Sequence, residues 1–192
     1  MICNEKDWSA TGSMLSGLAT AAAVWVAYSQ LSKVSQQMQE THEWNRRKTS
    51  QEVLHVLVFG EFPTLRNTVE SELGCNIPDP KETYETKIST LTEEDKIKLD
   101  NALLKILNVL ENIGINIKHN IIDDDICYDY LGWIMVEYHR WSFLFIDIRR
   151  KTAGDPRVLI GFSECAVRWQ ERIAREKTSM ATSALVPAKV AI

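Results

Sequence analysis

Residues 92–118 read TEEDKIKLDNALLKILNVLENIGINIK, and within them Leu99, Leu103, Ile106, Leu110, Ile113 and Ile117 recur at intervals of four and three. At about 100° per residue these positions form one stripe, the pattern of an amphipathic helix running to Lys118. Thr92 stands at the N-cap position, and Glu93, Glu94 and Asp95 fill the first turn, where carboxylates meet the positive end of the helix dipole. Such a stripe must be covered by other elements, so the flanking segments are expected to be helical too.

On the C-terminal side, Asp123, Asp124 and Asp125 open a second helix expected to reach Arg149 or Arg150. It is apolar over most of its circumference: Ile126, Leu131, Trp133, Ile134, Met135, Trp141, Leu144, Phe145 and Ile148. The three acids read as first-turn residues, because an oxygen-rich calcium loop alternates its ligands and needs a glycine turn. Glu137, His139 and Arg140 lie mid-helix, each costing about 2.5–3.5 kcal/mol to insert when ionised, so the helix reads as core and not as a membrane span. Asp129, Glu137, Arg140 and Asp147 share one face, which predicts ion pairing. Asp155-Pro156-Arg157 resembles a cap followed by proline at the first helical position, predicting a last helix marked by Val158, Phe162, Cys165, Val167 and Trp169. Residues 178–192, with Ser, Thr, Ala and Pro187, read as a mobile tail.

On the N-terminal side, residues 75–91 contain Pro78 and Pro80 and read as a loop. Leu65, Val69 and Leu73 give a short helical pattern that stops at Gly74, and the apolar run from Gln51 to Phe62 ends at Pro63. The core domain is therefore expected to span residues 51–177. Residues 33–50 read as a polar stalk with Val34, Met38 and Trp44 as its apolar points.

Upstream, Trp8 to Ser32 contains no Asp, Glu, Lys, Arg or His. As a helix it would reach about 37 Å, more than the roughly 30 Å hydrocarbon core of a bilayer. Residues 8–32 are accordingly expected to form a transmembrane helix, preceded by a short extracytosolic segment, 1–7. A signal peptide fits less well: Lys6 sits between Glu5 and Asp7, although Ala21, Ala22 and Ala23 imitate a cleavage site. A buried soluble helix is the other alternative. Only Lys6 precedes the run, whereas Lys33, Arg46, Arg47 and Lys48 follow it, which puts the C-terminal part in the cytosol of a single-pass inner-membrane protein. Small residues form two adjacent ridges, Gly12, Ser16 and Thr20 beside Ser13, Gly17 and Ala21, which would let membrane helices approach closely in a homo-oligomer.

Composition agrees with this layout. The chain has 45% apolar and 25% charged residues, ordinary globular usage. A net charge of −4 offers no basic face for nucleic acid. Cys3, Cys75, Cys127 and Cys165 lack paired C-x-x-C spacing and read as free thiols of a reduced compartment.

Three stretches carry a resemblance: Glu43-Trp44-Asn45-Arg46-Arg47-Lys48, the run Glu111 to Gly132, and Arg149 to Arg157. Together they resemble a bacterial family catalogued as domain of unknown function four-seven-six-zero. The resemblance implies an N-terminal hydrophobic helix, a basic Trp-Asn-Arg-Arg segment, and helices ending near a Gly-Asp-Pro-Arg turn, here Gly154 to Arg157. The chain departs from that pattern at Val109 and Leu110, where aromatic residues are expected, and at Ala153, which interrupts a Thr-Gly step. The family implies architecture and no activity.

No motif points to catalysis. His42, His55, His119 and His139 have no i, i+4 pair for zinc, and there is no nucleophile elbow, P-loop or dinucleotide turn. Cys–His pairs exist on paper, as in any chain with four of each, so an uncharacterised enzyme stays an alternative. No cofactor is expected. Two basic groups are the candidate contacts for an anion or a protein partner. Arg46, Arg47 and Lys48 close the stalk, where positive-inside topology with contact to anionic lipid headgroups competes with a simple solvated face. His139, Arg140, Arg149, Arg150 and Arg157 lie near the central helix end, where ion pairing competes with binding of a small anionic ligand. The expected architecture is mainly α: one transmembrane helix, a helical stalk, and a cytosolic all-α bundle of about five helices. The expected role is a membrane-anchored interaction or sensing module in contact with the bilayer. A ligand-gated membrane effector of antiphage defence, responding to a nucleotide messenger, is the alternative.

Overall fold

The computed structural model describes the backbone of residues 5–184 and the side chains of Thr20 and residues 22–181. The chain divides into two compact units, Met1–Asn45 and Arg46–Ile192. Among the described residues there are seven α-helices, one π-helical turn and no strand. The expectation of a mainly helical protein is therefore met.

The first unit is formed by the leading part of helix α1, Glu5–Phe59. Among the described residues no helix is long and apolar enough to cross a membrane. Residues 8–19 and Ala21 of the uncharged run lie outside those whose side chains are described, and with them Gly12, Ser13, Ser16, Gly17 and Ala21 of the two ridges. Thr20 is exposed.

The second unit is built around α4, Glu93–Lys118, which starts at Thr92 as its sequence dictates: the Thr92 hydroxyl accepts the Asp95 N–H at 3.2 Å. Leu99, Leu103, Ile106 and Leu110 have no exposed surface, and Ile113 and Ile117 almost none. Burying each contributes about 1.5–3 kcal/mol. The stripe is covered by α7, Ile160–Ala184, and by the short α2, Phe62–Asn67, and its π-helical continuation, Thr68–Glu72. That pair ends at Gly74, whose φ of +63° is the left-handed conformation glycine adopts without a Cβ penalty. Pro63, read as a stop, instead begins α2, where its missing N–H costs nothing. Ser50, Leu54 and Leu57 on the last turns of α1 are buried in the same core.

Three further readings need correction. The segment 75–91 is not a bare loop: Thr83 and Thr86 form a reciprocal capping box that opens α3, Tyr84–Ile88, and Cys75, Ile77 and Tyr84 are buried. The helix from Asp123 does not run to Arg149. It is α5, Asp124–Trp141, and α6, Phe143–Ala153, separated at Ser142, whose buried hydroxyl donates to the Tyr138 carbonyl at 2.5 Å. Asp123 does cap α5, accepting from Asp125 and Ile126 N–H at 3.1 and 3.2 Å. Finally, Pro156 does not start the last helix. Residues 156–159 make turns, Leu159 takes a φ of +57°, and α7 begins at Ile160.

The start of α7 is set by another helix. The carboxylate of Glu111 on α4 accepts the Gly161 N–H at 3.2 Å and the Phe162 N–H at 2.6 Å. This satisfies donors that every helix start leaves open.

Candidate functional site

A groove lies in the second unit between the end of α1 and α4, with a volume of about 740 Å³, and it opens to solvent. Its floor is apolar: Val53 and Leu57 from α1, Phe62 and Leu65 from α2, Val109 and Ile113 from α4. Glu52 and Glu61 stand on one rim; Lys105, Asn108 and Asn112 stand on the other. The sequence of α1 produces this surface directly. Residues 53–59, VLHVLVF, are apolar around most of the helix, and only one face can reach the core. Leu54 and Leu57 take that face, while Val56, at the groove, stays 69% exposed and Phe59 beside it 75%.

Chemically the groove suits recognition. Its ionisable side chains are two carboxylates and one amine; its neutral polar groups are one hydroxyl and two amides. Among the described residues no group of three His, Cys, Asp or Glu side chains could hold a metal ion. Burial pushes the thiols of Cys75, Cys127 and Cys165 up to about 12, which keeps them protonated and poorly nucleophilic.

The two basic groups do not converge on the groove or on each other. In the first, Arg46 pairs with Asp123 at 3.1 Å and so braces the cap of α5. Ser50 joins this junction: its hydroxyl accepts the Asp123 N–H at 2.6 Å and donates to the Arg46 carbonyl at 2.8 Å. Arg47 is exposed, and Lys48 lies 3.8 Å from Glu52.

In the second group each guanidinium has a partner in its own fold. Arg140 donates to the carbonyls of Ile77, Asp79 and Glu82 and pairs with Glu137 at 2.9 Å, which pins the segment before α3. Arg150 donates to the carbonyls of Val158 and Leu159 and to Ser163 Oγ, holding the turn before α7. Arg149 lies over the Phe145 ring at 4.9 Å and 3.9 Å from Asp100. Arg157 turns back on Asp155 at 3.0 Å. His139 sits edge-on to Phe143 and Phe162, and burial, helped by the Arg150 charge, lowers its pKa. Within the group, the Arg150 charge acts on His139.

Sequence reasoning did not find the groove, since its lining residues come from separate segments and those within a pattern, such as Leu65 and Ile113, read as core. The available signal was the excess of apolar surface in residues 53–59 over what a one-faced helix can bury.

Comparison with known proteins returns one family, described as a domain of unknown function (DUF4760), whose pattern matches residues 17–169. No curated protein and no solved structure matches the chain. The match takes in the Trp-Asn-Arg-Arg segment, the whole of α2 to α6 and the capped start of α7, and with them every residue lining the groove, so the chain belongs to the DUF4760 family.

Proposed function

We propose that this protein is a membrane-anchored, self-associating interaction module, without catalytic activity of its own, whose cytosolic helical domain seats an amphipathic helix of a partner protein in the groove beside α4. The observation that carries the reading is the groove itself: an apolar floor left open between two helices and edged by polar groups, the form in which helix-in-groove recognition recurs. Glu52 and Glu61 on one rim favour a partner helix with Lys or Arg along the matching edge.

Sequence supports the anchor. Trp8 opens the uncharged run, and Trp25 and Tyr28 lie within its later part, aromatic residues of the kind that favour membrane interfaces. From Trp8 to Tyr28 a helix rises about 30 Å, which matches the hydrocarbon thickness. The lysine and arginine bias beyond Ser32 sets the second unit in the cytosol of the inner membrane. The alternative of an anion-gated effector has less support, because Arg140, Arg150 and Arg157 already donate to carbonyls and a carboxylate of their own fold.

A photo-crosslinking residue in place of Val56, in the full-length chain within native membranes, tests both parts. The expected result is one discrete adduct that a second substitution, Val109→Glu, removes, with the protein retained in membranes after carbonate extraction. Release of the intact chain by carbonate would overturn the anchor. Adducts indifferent to Val109→Glu would overturn the groove as the contact.

A further inference from the structure

From the last turns of the anchor through the stalk, α1 carries a pattern that the groove does not use. Val24, Ala27, Leu31, Val34, Met38, Thr41 and Asn45 alternate at spacings of three and four, so Val24, Leu31, Met38 and Asn45 repeat every seventh residue. That interval is the heptad of coiled coils, with these four at one seam position and Ala27, Val34 and Thr41 at the other. All seven are exposed on the described chain, Leu31 by 72% and Met38 by 57%.

Charge shows what fits there. Lys33, Glu40 and Glu43 all fall on the outer positions of the heptad, away from the seam. The positions flanking the seam are Tyr28, Ser35 and His42 on one side and Gln30, Gln37 and Trp44 on the other, with no acid or base apart from the imidazole. Two identical helices laid side by side in register would therefore meet without like charges opposed, and Gln37 would face His42 of the other copy. The outer polar pair, Gln36 to Glu40 at 3.1 Å, would stay in water. Thr41 already donates to the Gln37 carbonyl at 2.7 Å, so covering it strands no donor. Asn45 occupies a seam position where a single asparagine, paired with its own copy, fixes register.

We infer that residues 24–45 of α1 form a parallel, in-register, two-stranded coiled coil with a second copy of this chain. The inference deepens the self-association in the proposed function but rests on different residues from the membrane ridges. Continued upstream by sequence register, the same seam passes through Thr20, Gly17 and Ser13, which singles out the second ridge, with Thr20, as its continuation.

Single cysteines in the full-length chain, on a Cys3→Ser background, test it under mild oxidation. Leu31→Cys and Met38→Cys should both give disulfide-linked dimer, at least tenfold more than Gln36→Cys on the outer face. Adding Leu31→Lys to Met38→Cys should abolish the cross-link. Dimer at only one of the two seam positions would mean an antiparallel pair, and equal yields at all three would mean random collision; either overturns the inference, as does no dimer at all. The measurement is made on the membrane and soluble fractions alike. Seam-specific dimer in a soluble fraction would sink the anchor and leave the coiled coil standing.

Discussion

Glu111 and Phe162, far apart in the chain, meet where α7 starts: the carboxylate Oε2 of one takes the backbone N–H of the other at 2.6 Å. The Gly161 N–H reaches the second oxygen of the same carboxylate at 3.2 Å. Replacing Glu111 by alanine leaves two buried donors without an acceptor, so Glu111→Ala should lower stability by about 1–3 kcal/mol. Glu111→Gln, which keeps one accepting oxygen, should lose less. Denaturant unfolding followed by tryptophan fluorescence ranks the two, and equal losses would contradict the cap.

The same crossing sets a size limit. A Cβ on Gly114 would stand 2.3 Å from the Gly161 carbonyl oxygen, a backbone atom that cannot turn aside. Gly114→Ala should cost about 1–3 kcal/mol or more, as overpacking of a tight site does. Gly132→Ala is the control: its Cβ meets the Tyr128 ring at 3.1 Å, and the gain in helix propensity of up to about 1 kcal/mol offsets the crowding. Thermal melts that fall equally would refute the distinction.

Burial separates the aromatic residues of α5. Trp141 has no exposed surface and Tyr130 is 68% exposed. Trp141→Ala should cost about 3–5 kcal/mol and Leu110→Ala about 2–5. Tyr130→Ala should stay within about 0.5 kcal/mol, as surface substitutions do. An unchanged midpoint for Trp141→Ala would place the core elsewhere.

His139 gives the domain a dependence on pH. Burial first, and then the Arg150 charge, hold its pKa below the ordinary 6.5. The folded form therefore binds fewer protons than the unfolded chain, and stability that is complete above 6.5 is lost as pH falls from there through the lower folded value. His139→Leu should flatten this part of the profile between pH 7.5 and about 5.5. Melting temperatures of the two proteins across that range decide it; parallel curves would remove His139 from the account.

The stripe from Leu99 to Ile117 could be read directly because a single period and a capped start act within one helix. Gly74 was legible for a similar reason, since a glycine after a periodic run marks a left-handed turn. The break at Ser142 was not: the apolar period continues across it, and what ends α5 is a buried hydroxyl on a backbone carbonyl. The late start of α7 was hidden because its capping group is Glu111, on another helix. Arg140 and Arg150 looked like ligand-binding arginines in sequence, and only the fold reveals the carbonyls they hold. Of the candidate site, the chain offered the apolar excess of residues 53–59 and nothing to identify α4 as the opposite wall.

The dependence of the core on α7 also has a consequence for how the chain is made. Phe162 and Trp169 contribute fully buried rings, and the helix that bears them packs against both α4 and α5. It is the last of the packed elements to leave the ribosome. Until it does, the faces of α4 and α5 that pack against it lack that cover. A chain stalled after α6 would present those apolar faces to chaperones and proteases.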